Sequence, residues 1–204
     1  MTPGEAATIR VQLNDTAYAF LPGHRIRLAV STTYWPMVWP TPEPVELTLE
    51  TGASSLTLPV RPPRAGDDGL RLEEEPVQGP PAPFRVLRPA EDARTLVQDA
   101  MTGETVVTNR AESGLLYHEG IDLAFGVGGT DTCRIREGDP LSAVGESRRT
   151  FEVRRGDWRV RTEGRVTLRC TRDEFLVAAD LEAFNGDARA FSRTWNLRIP
   201  RDHV

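Results

Sequence analysis

Apolar and polar residues alternate with period two through much of this chain. That period belongs to strands with one packed and one wet face, and not to helices. It runs through Thr8-Ile9-Arg10-Val11-Gln12-Leu13 and through Arg25–Val30, where Ile26, Leu28 and Val30 share a side. Val45–Leu49 and Leu56–Leu58 repeat it, and it returns more heavily charged in Phe151–Val153, Trp158–Arg161 and Val166–Cys170. Turn chemistry separates the runs: Arg155-Gly156-Asp157, Asp99–Glu104 with Gly103, and Asn185-Gly186 between Phe175–Phe184 and Ala188–Ile199. Pro89–Arg94 and Phe175–Leu181 contain good helix formers, but hairpin turns flank them, so strands are predicted there too. The expectation is an all-β chain ending in an antiparallel meander, with Trp158 and Trp195 at least half buried.

Composition divides the chain. Fourteen of the 16 prolines lie before residue 90. Before Phe84 there are 6 Arg against 10 acids, and from it onward 19 Arg against 20 acids. Between the halves, Arg64–Gly69, Glu73-Glu74-Glu75-Pro76 and Gly79–Pro83 are too polar and proline-stiffened to build a core. Residues 64–83 therefore read as a linker, separating a β unit at 1–63 from a second at 84–204.

A length of 204 residues allows one sizeable domain or two small ones. The net charge of −5 argues against a phosphate-backbone partner. All 25 basic residues are Arg, which removes Schiff-base lysine chemistry and lysine-dependent phosphate loops. No apolar run reaches the roughly 18 residues of a membrane span, and Met1-Thr2-Pro3-Gly4-Glu5 does not read as a secretory start. The reading is a cytoplasmic protein with neither nucleic acid nor membrane as partner.

Chemistry-bearing motifs are sparse. Gly52-Ala53-Ser54 and Gly145-Glu146-Ser147 each carry only half of the Gly-x-Ser-x-Gly nucleophile turn, and no helix follows either. His24, His118 and His203 have no nucleophile to serve. Cys133 and Cys170 follow strand alternation and read as small buried hydrophobes, without the neighbouring ligands a zinc site needs. Gly126-Val127-Gly128-Gly129-Thr130 lacks the lysine and helix of a phosphate loop and reads as a bulge or strand turn. Asp67, Asp68 and Glu73–Glu75 read as solvated linker acids. No metal or cofactor is expected. The exception to this blandness is Tyr34-Trp35-Pro36-Met37-Val38-Trp39-Pro40. Its rings must pack on the local core, a neighbouring domain or a flat ligand.

Here the sequence resembles a known family. Phe20-Leu21-Pro22-Gly23-His24-Arg25-Ile26-Arg27-Leu28-Ala29-Val30-Ser31, running into Tyr34-Trp35-Pro36, is similar to the C-terminal region of X-Pro dipeptidyl-peptidase and cocaine-esterase-like (CocE/NonD) serine hydrolases. Glu43–Leu47 to Leu58–Val60 continues the likeness. Residues 84–204, with Gly156–Thr162, look like the C-terminal extension of longer members.

The resemblance implies a bacterial α/β-hydrolase with a Ser-Asp-His triad, a helical cap and a jelly-roll (galactose-binding-like) β-sandwich. Only the last of these is matched. Residues 1–63 would be its later part, 64–83 a linker and 84–204 a meander, so the chain is expected to be a fragment without catalytic residues of its own. Its expected role is a non-catalytic domain packing on the catalytic α/β-hydrolase domain and helping to shape the active site. Tyr34, Trp35, Trp39 and His24 are the candidate interdomain or ligand contacts, and a homodimer through the aromatic cluster is a further expectation. The alternative function is a carbohydrate-binding module with a Tyr/Trp stacking platform.

Overall fold

The computed structural model describes residues 4–69 and 79–202. Glu73–Glu75, in the predicted linker, and His203 lie outside the described residues. The chain forms two units, Met1–Ser31 and Thr32–Val204.

In the first unit, Thr8–Leu13 and Arg25–Val30 carry no strand ladder, and a turn closed by the His24 N–H donating to the Leu21 carbonyl (3.1 Å) precedes the second of them. The same holds in the second unit for Val45–Leu49 and Leu56–Leu58, which a short 3₁₀ turn at Thr51–Ala53 separates. The strand assignments for these four runs are therefore corrected. Alternation provides a face, but a strand also needs a second backbone to pair with. None lies alongside them among the described residues, and Ile9, Val11, Ile26, Leu28 and Val30 stay exposed.

From Phe84 onward every predicted strand forms. The strands are β1 (Phe84–Arg88), β2 (Glu91–Asp99), β3 (Glu104–Glu112), β4 (Leu115–His118), β5 (Leu123–Arg136), β6 (Asp139–Arg155), β7 (Trp158–Cys170), β8 (Glu174–Asn185) and β9 (Ala188–Pro200). All pairings are antiparallel in one sheet. Both Pro89–Arg94 and Phe175–Leu181 run within or into strands, as the flanking turns required.

β1 and β2 act as one long strand broken at Pro89–Ala90, paired with β3 and β4, which are broken at Ser113–Gly114. Proline has no N–H for the ladder, so the interruption falls where the sequence cannot sustain it. With those breaks allowed for, the sheet is the expected meander.

The turns follow glycine. Gly156 and Gly186 take positive φ, at 54° and 59°, as the first residues of two-residue loops closed by Arg155↔Trp158 and Asn185↔Ala188. The second loop is thus Gly186-Asp187, one residue later than the Asn-Gly reading, and glycine at the first central position is the II′ preference.

The glycine run at 126–130 is not a turn: β5 keeps regular register with β6 across it, while on the other edge the pairing shifts by one residue between Glu112↔Gly128 and Leu116↔Phe125, so the run lies opposite a bulge in the partner strand. Its glycines answer to sterics. Opposite the break, the 113–114 backbone presses onto β5, and a Cβ at Gly126 would collide with the Gly114 carbonyl oxygen. Gly114 itself, at φ 73°, lies where a Cβ would be 2.7 Å from the Pro89 carbonyl carbon. The Ser113 hydroxyl closes the crossing, accepting from the Val127 N–H and donating to the Val127 carbonyl, each at 2.9 Å.

Register sorts the side chains onto two faces. One carries rows such as Gly126–Glu152–Arg161–Phe184 and Thr130–Arg148–Arg165–Asp180–Thr194. The other carries Val127–Phe151–Thr162–Ala183–Phe191 and Cys133–Gly145–Leu168–Val177–Leu197. The first face is charged, the second apolar. Val107, Leu115, Ala124, Ala143 and Cys170 are buried apolar side chains, and Pro40 is buried with them. Trp195 is half-buried beneath the Arg193 guanidinium, 4.9 Å from its ring, whereas Trp158, beside a hairpin turn, remains 50% exposed.

Candidate functional site

The aromatic cluster folds as a turn, with the Val38 N–H donating to the Tyr34 carbonyl at 2.8 Å. Trp35 and Trp39 meet edge to face, centroids 4.9 Å apart, and Trp39 meets Phe175 in the same way at 5.8 Å. This is the offset geometry that the ring quadrupoles favour. Below the Trp39 ring lies Gly145 on the apolar face, where a Cβ would be 3.7 Å from Cζ3. A residue with bulk at 145 would lift the indole off the sheet.

Arg201 holds the same segment from the side. Its guanidinium donates to the Pro40 carbonyl at 2.7 Å and the Thr171 carbonyl at 3.0 Å, and lies 4.9 Å above the Phe175 ring. Glu43 pairs with Arg172 in the same β7–β8 connection. Trp35 and Trp39 are thus seated on the β meander of their own chain, with both indole N–H groups buried and unpaired among the described residues. Tyr34 is the outward ring, 67% exposed. His24 belongs to the first unit. The sequence singled out Trp39, but Gly145, Phe175 and Arg201, which build its seat, carried no local signal.

The charged face answers its own charges. The Glu146 carboxylate accepts from Arg148 Nε at 2.7 Å and Arg165 Nη2 at 2.6 Å, and those two guanidinia hold its pKa below the usual carboxylate value. Burial works to raise the Glu152 carboxyl, but hydrogen bonds from Arg154 and Arg88 outweigh it and leave that pKa lowered. Arg161 pairs with Glu163 and Arg189 with Glu182. Shallow basins of about 350 and 490 Å³ open on this face, and each mixes guanidinium with carboxylate groups. Each basin is lined by three Arg and three acids, so neither presents a net charge to an ionic ligand.

The apolar face carries one conspicuous ion pair. Arg149 donates to both Asp131 oxygens at 2.8 Å, lowering that carboxyl's pKa, and lies over Gly129, whose absent Cβ would be 2.7 Å from Nη1. Burial is the main cause raising the Cys133 thiol in the same face, so it stays protonated and behaves as a small hydrophobe.

No nucleophilic pair assembles. Ser54 donates to the Glu50 carbonyl at 2.9 Å beside a 3₁₀ turn. Ser147 sits mid-strand opposite Asp131, and His118 opposite Leu123. Those two positions are eight residues apart along β5, roughly 26 Å at strand rise. His118 instead stacks on Phe125 at 4.9 Å. Asp67 is committed to Arg61 and to the Arg64 N–H (2.9 Å). Among the described residues no three His, Cys, Asp or Glu side chains gather as metal ligands, and no helix is long and apolar enough to cross a membrane.

Residues 1–96 match the family model described as the X-Pro dipeptidyl-peptidase C-terminal non-catalytic domain. The match runs through the aromatic cluster and ends inside β2. Neither the curated proteins nor the solved structures contain a match to the chain.

Proposed function

We propose, from the match of residues 1–96 to the family model of the X-Pro dipeptidyl-peptidase C-terminal non-catalytic domain, that this chain is the β module of a serine hydrolase cleaving ester or peptide bonds. In this reading it packs on the catalytic α/β-hydrolase domain and helps to shape the rim of that domain's active site. The observation that carries it is the family match falling on a segment rich in exposed apolar side chains. Ile26, Leu28 and Val30, with Tyr34 beyond them, stand open to solvent, and a surface of this kind is made to meet another protein. Trp35 and Trp39 then serve a different purpose. They anchor the Tyr34–Pro40 turn to the meander of their own unit.

The working compartment in this reading is the cytoplasm, where Cys133 and Cys170 remain free thiols. The carbohydrate-platform alternative keeps Tyr34 as its open ring, with Trp35 and Trp39 engaged edge to face.

The module by itself should be inert. Incubated with p-nitrophenyl esters and X-Pro p-nitroanilides, the chain is expected to give no turnover above buffer and no serine adduct with a fluorophosphonate. Stoichiometric labelling of one serine with sustained turnover would contradict the proposal.

A further inference from the structure

We infer that the apolar face of β5–β9 is the contact surface for a second copy of this chain, two sheets closing face to face as a sandwich. Phe151, Val166, Phe191 and Leu197 are 45%, 43%, 47% and 51% exposed on that face. Such an array is far larger than the scattered apolar residues of an ordinary surface. Three observations point to a second copy as the occupant.

The first is relief. Phe151 and Phe191 stand in one cross-strand row, and the neighbouring row holds Gly164 between Arg149 and Leu181. A Cβ at Gly164 would meet only the backbone oxygens of Arg149 and Asp180, at 4.0 Å. The face therefore carries both bumps and a dent, and a two-fold contact needs both on one surface. The chain already shows the fit in miniature, with the Trp39 ring seated over Gly145.

The second is charge. Asp131 and Arg149 neutralise each other through two 2.8 Å hydrogen bonds. Two such faces can meet without burying an unpaired carboxylate there, and Arg193, at the end of the Arg149 row, lies over the Trp195 ring of its own strand.

The third is size. Five strands at about 4.8 Å spacing and some nine residues at about 3.3 Å rise give roughly 700 Å² per copy. That falls within the roughly 600–1,000 Å² per partner of a stable interface. Sheets packed this way lie about 10 Å apart, with inner side chains interdigitated. This contact takes the part of the sheet face that the aromatic cluster, seated over Gly145 and against Phe175, leaves open. It leaves Tyr34, exposed in the same unit, for the catalytic domain.

Sedimentation velocity of the full chain across a concentration series tests this. The wild-type chain should sediment as a dimer of 22.6 kDa protomers. Phe151→Arg, on the apolar face, should raise the dimer dissociation constant at least 100-fold, while Thr150→Arg, its neighbour on the charged face, should leave it unchanged. Gly164→Val supplies a second arm, because the added side chain has room in one copy and fills only the dent. It should weaken the dimer about 10-fold or more without lowering the urea midpoint of the protomer. A wild-type chain monomeric through the high micromolar range would overturn the inference, including the case in which the face binds only a catalytic domain. Equal dissociation by Thr150→Arg and Phe151→Arg would overturn it as well.

Discussion

Replacing Gly126 by Val is expected to destabilise the chain by about 3 kcal/mol or more, the upper end of overpacking costs. The opposing atom is the Gly114 carbonyl oxygen, part of the backbone, so no rotamer change relieves the collision. Gly114 cannot retreat either, because it lies against the Pro89 backbone. The strain should therefore open the crossing where β1–β2 and β3–β4 are both interrupted. Urea unfolding followed by circular dichroism measures the loss, with Gly164→Val as the matched control in an unobstructed strand position. Equal midpoints for the two variants would show that the broken strands do not press on β5.

Trp39→Ala comes next in size. Full truncation of a buried Trp costs about 3–5 kcal/mol; for a half-buried ring, about 2–3 kcal/mol is expected. The indole touches Trp35 and Phe175 and covers Gly145, so its loss unseats Trp35 and exposes Phe175. Near-ultraviolet circular dichroism should lose the signal of the coupled indoles, and the unfolding midpoint should fall. Trp39→Phe should recover part of the loss by restoring an edge-to-face ring. A Trp39→Ala chain within about 0.5 kcal/mol of wild type, the range of ordinary surface substitutions, would mean that the seat contributes nothing to holding the Tyr34–Pro40 turn.

The second half of the fold was legible because its information is local. Alternation in Val166–Cys170 and glycine at 156 and 186 determine strand, face and turn within a few residues of one another. The first half uses the same alternation, yet Thr8–Leu13 and Arg25–Val30 form no ladder among the described residues. Pairing is non-local, and an amphipathic pattern does not say where its partner backbone lies. At the glycine run 126–130 the bulge sits in the partner strand and there is no turn, for a related reason: the cause is a carbonyl twelve residues earlier in the chain. At the candidate site, the bulk of Trp35 and Trp39 announced that they must pack. That the seat would be Gly145, Phe175 and Arg201 depends on the register of β6 with β7 and β7 with β8, which no local motif encodes.

The central claim, a non-catalytic module that docks on a hydrolase, is tested most directly by adding the chain to an X-Pro dipeptidyl-peptidase catalytic domain lacking its own C-terminal domain. Calorimetric titration should show saturable binding at micromolar concentration or tighter, and Ile26→Asp with Leu28→Asp should weaken it at least 10-fold. X-Pro amide turnover by the mixture should shift in KM relative to the catalytic domain alone. No heat of binding at 100 μM chain, together with unchanged kinetics, would contradict the account.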